Sequence, residues 1–503
     1  HYNPALLSAI EGTRFDNAVA FAKEYRRTEY ELGNDPGTGN KWTPFGDFFG
    51  YDPLDGKGGK LSSAYMVIPI VDYEIPYLIA PAMGLSYKPP DPESRLTFGF
   101  GQYAPFGVGM RHSAEDPNSL MGKKAFFLRM CLAAPAVAYK VTDTFSIGAS
   151  VGIGISLFSF ETDLRSPNTM VALTGALGKS TEGLEIPVIS ELTLPPPWFG
   201  GGMSPYEKMG NVKLMVEDYF TTSYNLGAYW EPYPWIAFGA CYQSESDTTM
   251  EGDYKVTYGE RFQKTINWLG RSPLTIIIAA MFDLPNQAVP DQKGTATVSM
   301  TWPSRLQLGM RLRPIKQVTF TCDAHYTDWE AWPQLKMEFD QKIQLLRLVR
   351  MLGYSYGPKA MVINLGVENT WHFSYGLEIR PIKKLALRFG YEPRPSSIPD
   401  ESFGPVPMAD MQFFSAGIGL TLEDKPKPRP KGLHALLQQL QHPSAIDLNV
   451  THMVMDDHKI KYNQSTNANS TDFTKVVYNP FAGLIVDQEF SAWIFSLNQV
   501  FKW

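Results

Sequence analysis

Hydrophobic and polar residues take turns along most of this chain with a period of two. From Phe145 to Leu157 the sequence reads F-S-I-G-A-S-V-G-I-G-I-S-L, so that Phe145, Ile147, Ala149, Val151, Ile153, Ile155 and Leu157 share one side and only Ser and Gly occupy the other. Successive side chains of a strand point to opposite faces, so this pattern predicts a strand with one greasy face and one small, wettable face. Strands of soluble proteins usually run about 5–6 residues, whereas about 9–11 tilted residues cross the hydrocarbon of a bilayer. This strand is long enough to span a membrane.

The same alternation predicts strands at Arg14–Glu31, Leu78–Tyr87, Arg95–Gly101, Phe126–Tyr139, Tyr219–Trp230, Trp235–Tyr254, Ala296–Arg313 and Gln317–Phe339. It continues at Trp371–Arg380, Leu385–Glu392, Phe413–Leu422, Ile446–Met455 and Trp493–Trp503, with a helical segment over Gln341–Leu352. Several polar faces are charged: Arg305, Gln307, Arg311 and Arg313 alternate with Leu306, Leu308, Met310 and Leu312, and Glu378, Arg380, Arg388 and Glu392 recur similarly. Short turns near Thr144, Tyr233, Pro314 and Pro381 alternate with long excursions, an asymmetry typical of transmembrane barrels. Two excursions, 166–210 and 261–293, carry Trp198, Phe199, Leu274, Ile277 and Phe282 and are too apolar for ordinary disorder.

The fold class is therefore all-β, a single transmembrane antiparallel β-barrel over 14–503. An open sheet edge in lipid would leave unpaired backbone groups costing several kcal/mol each, so the barrel must close. Tyr103-Ala104-Pro105-Phe106-Gly107 should interrupt the ladder, because proline cannot donate to it.

Composition sharpens this picture. The 503 residues are 44% hydrophobic and 19% charged with no uninterrupted apolar run of membrane-helix length, so spanning falls to strands. Aromatics at 13% suit interfacial girdles. A net charge of −6 with dispersed Lys and Arg gives no footprint for nucleic acid. Cys131, Cys241 and Cys322 have neither disulfide nor zinc spacing and read as packed apolar side chains. His1 in place of a start methionine suggests a processed N-terminus.

No catalytic, metal or cofactor constellation emerges, and the chain does not read as an enzyme. No helix follows Gly99, Gly101 and Gly107 or Gly152 and Gly154, as a phosphate loop would need. His325 near Asp323 reads as interior packing, and His442, His452, His458 and Asp456-Asp457 have no ligand spacing.

The chain resembles the outer-membrane long-chain fatty-acid transporter family of Gram-negative bacteria, FadL, which extends to related transporters of aromatic hydrocarbons. The resemblance rests on Asn3-Pro4-Ala5, Pro105-Phe106-Gly107, Tyr242-Gln243-Ser244-Glu245, Gly252-Asp253-Tyr254, Trp302-Pro303, Tyr326-Thr327-Asp328-Trp329, the Pro405–Asp410 loop and the aromatic C-terminus, in one order along the whole chain. It implies a bacterial outer-membrane barrel of about 14 strands, a hatch in the lumen of which residues 1–13 are the remnant, and a kinked third strand opening sideways. It also implies capture of hydrophobic ligand between the two apolar extracellular loops. Departures are the start at the Asn-Pro-Ala box, an insertion at 425–443 on the periplasmic side, and Trp503 where Phe is usual.

The expected function is therefore uptake of a hydrophobic molecule, foremost a long-chain fatty acid. It would be captured by Trp198, Phe199, Leu274, Ile277 and Phe282 and released at a lateral gate of Tyr103, Pro105, Phe106 and Gly107. Arg305, Arg311 and Arg380 are candidates to hold a carboxylate, with pairing to Asp323, Glu378 and Glu392 as the alternative role. The Gly and Ser of 145–157 would leave bore on this side of the lumen. Alternatives are a transporter of aromatic or aliphatic hydrocarbons and a structural barrel subunit of a larger envelope complex. Expected partners are outer-membrane lipid and lipopolysaccharide, the barrel-assembly machinery at the aromatic last strand, and a candidate periplasmic partner at Leu433–Leu440.

Overall fold

The computed structural model describes residues 3–34, 39–41, 48–69, 71–91, 93–184, 192–349, 356–364, 367–398, 409–423, 427–428, 432, 438–456, 458–460 and 480–503. Fourteen antiparallel strands close into one barrel. They are β1 Thr13–Leu32, β2 Leu78–Tyr87, β3 Leu96–Arg111, β4 Lys124–Lys140, β5 Phe145–Leu164 and β6 Gly210–Tyr233. Four interrupted strands follow: β7 (Ile236–Gln243, Ser246–Tyr258), β8 (Asp291–Trp302, Arg305–Ile315), β9 (Val318–Thr327, Gln334–Phe339) and β10 (Ala360–Asn364, Thr370–Ile382). β11 Leu385–Arg394, β12 Met411–Thr421, β13 Ala445–Met455 and β14 Leu484–Lys502 complete the wall. β14 returns to β1 from Arg14↔Lys502 to Leu32↔Leu484, so the sheet has no open edge at its seam of closure.

Turns at one end are short, as at 141–144 and 234–235, while segments at the other end run long. The two apolar excursions occupy 165–209 and 259–290 and hold helices α1 (Thr169–Ser180), α2 (Glu260–Trp268) and α3 (Pro273–Met281). A further helix, α4, spans Gln344–Val349, starting later than the expected Gln341; residues 350–352 of that expectation lie outside the described residues. Leu433, Leu436 and Leu437 of the insertion and residues 405–408 lie outside the described residues.

Several strands outrun their expected limits at the long-loop end. β3 does not stop at Gly101 but continues through Pro105 to Arg111, and β6 starts at Gly210 instead of Tyr219. The reason lies in the packing of that half of the barrel. Here the lumen is apolar: Phe127, Phe158, Leu214, Val216, Tyr254, Val298 and Met337 from six strands meet in one cluster, buried against Phe262 and Ile266 of α2. The outward positions carry polar residues, such as Glu217, Glu251 and Thr297, opposite one another in register.

Toward the short-turn end the faces are exchanged. Ile147, Val151, Tyr224, Leu226 and Leu308 are exposed on the outer wall, while Glu378, Arg388 and Asp447 form the lumen's ion-pair network. In several strands, β6, β7 and β8 among them, a bulge or break makes the exchange. β6 carries an extra residue between Asp218 and Thr221, so Val216 faces in while Tyr224, of the same parity, faces out. β3 and β4 slip against each other twice, at Gly101/Tyr103 and Tyr103/Phe106, and β7 and β8 break at 244–245 and at Pro303.

β5 has no bulge, and its outward set departs from the sequence reading. Ile147 to Ile153 face outward as expected, but Ile155 and Leu157 are 4% and 1% exposed, not lipid-facing. A small hairpin, Met66–Ile68 with Tyr73–Ile75, lies across them on the outside of the barrel. Its Tyr65 and Val67 pack on Phe126, Leu128 and Leu157. Above it, a buried ion pair, Arg165–Asp52 at 2.8 Å, ties the first loop to the third, and Arg165 Nε also donates to Pro480 O.

Candidate ligand path

Residues 3–10 lie inside the barrel toward the short-turn end as a plug segment, against β3, β4, β5 and β6. Pro4 at the first position of a 3-10 turn, Pro4–Ala9, pre-sets its backbone, and Asn3 caps it through Oδ1, which accepts from Ala5 N at 3.0 Å. The Asn3 amide donates to Ala228 O and Ala240 O at 3.0 and 3.1 Å, bridging β6 and β7. Two glycines make room. A Cβ at Gly227 would lie 2.0 Å from Asn3 Oδ1, and one at Gly148 2.5 Å from Ala5 N. Gly148 of β5 thus holds this plug instead of leaving bore, Gly152 meets Ser223 and Cys131, and Gly154 lies against the Met130 backbone beside the β4 bulge.

At the next level up, β2 pairs with β3 only from Met83↔Gln102 to Tyr87↔Phe98. Leu78 to Ala82 pair with β1 alone, so this stretch of β2 faces β3 across a seam without ladder hydrogen bonds. Tyr103 packs into the seam with Ala82, Cys131 and Ala134, and Leu78 and Ala104 reach the underside of the outer hairpin. Phe106 turns inward onto Trp302, ring centroids 5.2 Å apart, whereas Pro105 borders a small space with Arg129, Gln243 and Arg305. Arg129 sits over the Trp302 ring at 5.9 Å. Its guanidinium therefore marks the boundary between the apolar upper lumen and the charged lower one.

The outer hairpin is held over this seam by shape and charge. Tyr65 N donates to Gly109 O at 3.0 Å, and a Cβ at Gly109 would sit 1.7 Å from Tyr65 O, so only glycine allows the approach. Glu74 pairs with Arg111 at 2.6 Å and with Lys124 at 2.8 Å and accepts from Tyr65 Oη. Burial works to raise the Glu74 pKa, but Lys124, Tyr65 and Arg111 together hold it below its ordinary value.

At the long-loop mouth, the excursions meet. Ser272 caps α3 in a reciprocal box with Thr275, with Pro273 at the first turn, and the hydroxyl also donates to Thr193 O across the groove. Thr265 donates to Phe199 O, and Phe199 packs on Trp268 with centroids 4.9 Å apart. Trp198 and Phe199 border the Trp268, Leu269, Ala279 and Leu284 cluster, while Ile276, Ile277, Met281 and Phe282 stay exposed. Leu274 is half-buried at the start of α3. An exposed apolar rim on an apolar interior is the arrangement expected of a binding mouth.

The three predicted carboxylate-holding arginines separate. Arg311 is bound to Glu231 at 2.7 Å and Arg380 to Glu378 at 2.7 Å, so both are committed to lumen carboxylates. Of the expected partners, Glu392 pairs instead with His372 and Arg394. Arg305 alone reaches the kink. Sequence reading missed Arg129 and the outer hairpin, and gave Trp302 a place in a motif but no role at the site. The signal for the hairpin was the Gly107-Val108-Gly109 run, whose Gly109 offers bare backbone on the outer face.

The whole chain, residues 1–503, matches the family profile described as Outer membrane protein transport protein (OMPP1/FadL/TodX). A search among curated proteins gives no match. Among solved structures, the chain is similar to a Pseudomonas aeruginosa FadL homologue, at 16% identity, with 99% of this chain and 92% of that one covered and a TM-score of 0.66. It is also similar to the P. putida toluene transporter TodX, at 13% identity, 100% and 92% coverage and a TM-score of 0.58. The Ralstonia pickettii toluene transporter TbuX aligns at 14% identity, 99% and 92% coverage and a TM-score of 0.51. With the closed barrel, the lumen plug and the slipped third strand in place, the full-length match has one meaning: the chain belongs to the FadL/TodX family of bacterial outer-membrane transport proteins.

Proposed function

We propose that the protein takes up hydrophobic molecules by capture between the 165–209 and 259–290 loops, descent through the apolar upper lumen, and lateral release at the β2–β3 seam. In an outer-membrane barrel the short turns face the periplasm and the long loops the exterior. The observation that carries the reading is continuity. Apolar packing runs from the exposed Ile277 and Phe282 at the rim, through the Trp268 cluster to Leu348, which also packs against the Phe262 cluster that Phe106 and Val108 join at the kink. Beyond the kink the lumen turns to ion pairs and plug, so a greasy molecule has its lowest-energy way out sideways. A long-chain fatty acid fits this path if Arg305 and Arg129 meet its carboxylate beside Trp302.

A second reading is favoured by a different observation: Arg311 and Arg380 already hold carboxylates, which lowers the value of a ligand charge and suits an uncharged hydrocarbon. The similar TodX and TbuX are toluene transporters. The test is uptake of a fatty acid and of a hydrocarbon of matched length by cells carrying wild type, Ile277→Glu or Arg305→Ala protein. Ile277→Glu should slow both substrates. Slowing of the fatty acid alone by Arg305→Ala supports the fatty-acid reading, and equal rates for both substrates in that variant support the hydrocarbon. Unchanged uptake in Ile277→Glu with a folded barrel would overturn the capture step.

A further inference from the structure

The outer hairpin, Met66–Ile68 with Tyr73–Ile75, is inside out for a loop in water. Its register sets Met66 opposite Ile75, Val67 opposite Glu74 and Ile68 opposite Tyr73. Val67 and Glu74 take the barrel side: Val67 packs with Tyr65 on Phe126, Leu128 and Leu157, and Glu74 is neutralised by Arg111 and Lys124. Alternate residues of a strand point to opposite faces, so the face turned away from the barrel carries Met66, Ile68, Tyr73 and Ile75. Ile68 and Tyr73 are 37% and 64% exposed, and Val71 in the turn and Tyr77 beyond the hairpin are 65% and 51% exposed. An antiparallel sheet with one face in water shows polar residues there. Apolar outside and charge inside is instead the order of a barrel wall in lipid.

The surrounding wall sets the depth. Toward the long loops, the outward apolar runs of β1, β6, β7, β10, β11 and β14 end, among the described residues, on the exposed aromatics Tyr25, Tyr219, Tyr242, Trp371, Tyr391 and Trp493. Beyond Tyr25 the outward residues are the exposed ion pair Arg27–Glu29. Amphipathic rings collect where headgroups meet acyl chains, so this series marks the outer interface. On β3, β4 and β5 the series is broken. There the last exposed apolar residues in this direction are Phe100, Leu132 and Ile153, beside or short of the β3–β4 slips, and the wall beyond them lies under the hairpin. The hairpin spans the gap. At one side Tyr77 packs on Phe21 of β1, ring centroids 5.6 Å apart, and at the other Asp72 lies within electrostatic reach of Tyr219 on β6.

We infer that the outer hairpin is seated in the outer leaflet, with Ile68, Val71 and Tyr73 at the boundary between headgroups and acyl chains, and that it completes the aromatic girdle across β3 to β5. Its partner is the acyl-chain surface of the membrane. Continuity with the girdle on both sides selects that partner over a second protein. The seat requires an outer-membrane barrel and no particular cargo. It does bear on the exit. Leu78 and Ala104, beside the β2–β3 seam, reach the underside of the hairpin. Hairpin and lipid together therefore keep exterior water from the seam, and a molecule leaving there meets acyl chains first.

The full chain, one barrel per nanodisc, would be held in phosphatidylcholine and phosphatidylglycerol containing a phosphatidylcholine with a diazirine on its acyl chain. After illumination, peptide mass spectrometry locates the attached lipid. Peptides covering 66–77 should be labelled as strongly as those holding Tyr25 or Trp493, and well above 247–257, where exposed Asp247, Glu251 and Asp253 stand in the long-loop half. Val71→Asp combined with Tyr73→Glu should cut the hairpin label about tenfold and leave that at Trp493 unchanged.

Wild-type hairpin label no higher than that of 247–257 would overturn the seat. So would undiminished label in the double variant, with heat-modifiable migration confirming a folded barrel. Discs loaded with two barrels test the rival occupant: hairpin label lost only there would assign the face to a second copy of this chain and overturn the lipid partner, whereas equal label in both preparations supports it.

Discussion

Replacing Gly109 by alanine should lift the outer hairpin off the barrel. The new Cβ would lie 1.7 Å from the Tyr65 carbonyl oxygen and 2.6 Å from the Phe126 ring, and the first contact is backbone on backbone, so no side-chain rotation relieves it. Docking buries Tyr65 and Val67 to 2% and 1% exposure. At about 1.5–3 kcal/mol for each fully buried side chain, the apolar underside contributes at most about 3–6 kcal/mol. The Glu74 ion pairs are about one-third exposed and add no more than about 1 kcal/mol each. Alanine also breaks the Tyr65 N to Gly109 O hydrogen bond. Loss of about 3 kcal/mol of docking corresponds to more than about a hundredfold faster hydrogen exchange in the hairpin. Exchange of peptides covering 63–77, followed by mass spectrometry in nanodiscs, reads this directly. The control is Gly107→Ala, where the added Cβ meets only Leu128 Cδ1 at 3.6 Å and the hairpin should stay protected. Equal protection in Gly109→Ala and wild type, or equal loss in both variants, would refute the steric argument. Because the hairpin roofs the seam, Gly109→Ala should also speed uptake of a small hydrophobic probe.

Three further outcomes are expected. Asn3→Ala removes two bridging hydrogen bonds and the cap of the 3-10 turn, a loss of about 1–3 kcal/mol, and Gly227→Ala pushes Asn3 out sterically; either should raise single-barrel conductance in planar bilayers, and unchanged conductance would show that this segment does not stopper the lumen. Glu74 is held below its ordinary pKa, so its contribution to docking is present above the ordinary carboxylate value and is lost as pH falls through the depressed one: hairpin exchange, corrected for intrinsic rates, should be flat from pH 8 to 5 and rise only below about 4, and a rise near neutrality would point to another group. Deleting Phe220, an exposed residue within the β6 bulge, should turn Val212, Leu214 and Val216 outward and cost about 5–9 kcal/mol of upper-lumen burial; a heat-modifiable, protease-resistant barrel of wild-type stability would refute that account of the bulge.

The barrel was legible because period-two alternation survives in nearly every strand, and the alternation of short turns with long segments fixed its polarity. The ladder's interruption was legible through Pro105, a residue whose backbone chemistry is local, whereas a segment in the lumen at Asn3-Pro4-Ala5 was implied only by the family resemblance. The ion pairs were half legible. A charged face can be seen in sequence, but which carboxylate takes Arg311 depends on the register that sets Leu312 opposite Ile236 and brings Glu231 near, and alternation alone does not specify it.

What the alternation concealed is that one apolar parity serves two solvents. In β6 Val212, Leu214 and Val216 share their parity with Tyr224 and Leu226, and in β8 Val298 and Met300 share theirs with Leu308 and Met310, so each strand looks uniform from end to end. Below the bulge or break these positions face lipid; above it they face the lumen, because one extra residue exchanges the faces of everything beyond it. A membrane barrel whose strands rise past the bilayer needs such an exchange, since outward leucines above the lipid would meet water and an inward polar face would not hold a greasy cargo. Placing the exchange at the level of Pro105, Pro303 and the 244–245 break also gathers the ladder's defects into one ring. The stretch of β2 that does not pair with β3 begins just beyond the Met83↔Gln102 pair, next to the β3–β4 slips at Tyr103. β5 shows the other solution: it stays regular, and its inward parity changes in sequence from Gly and Ser to Phe158 and Phe160.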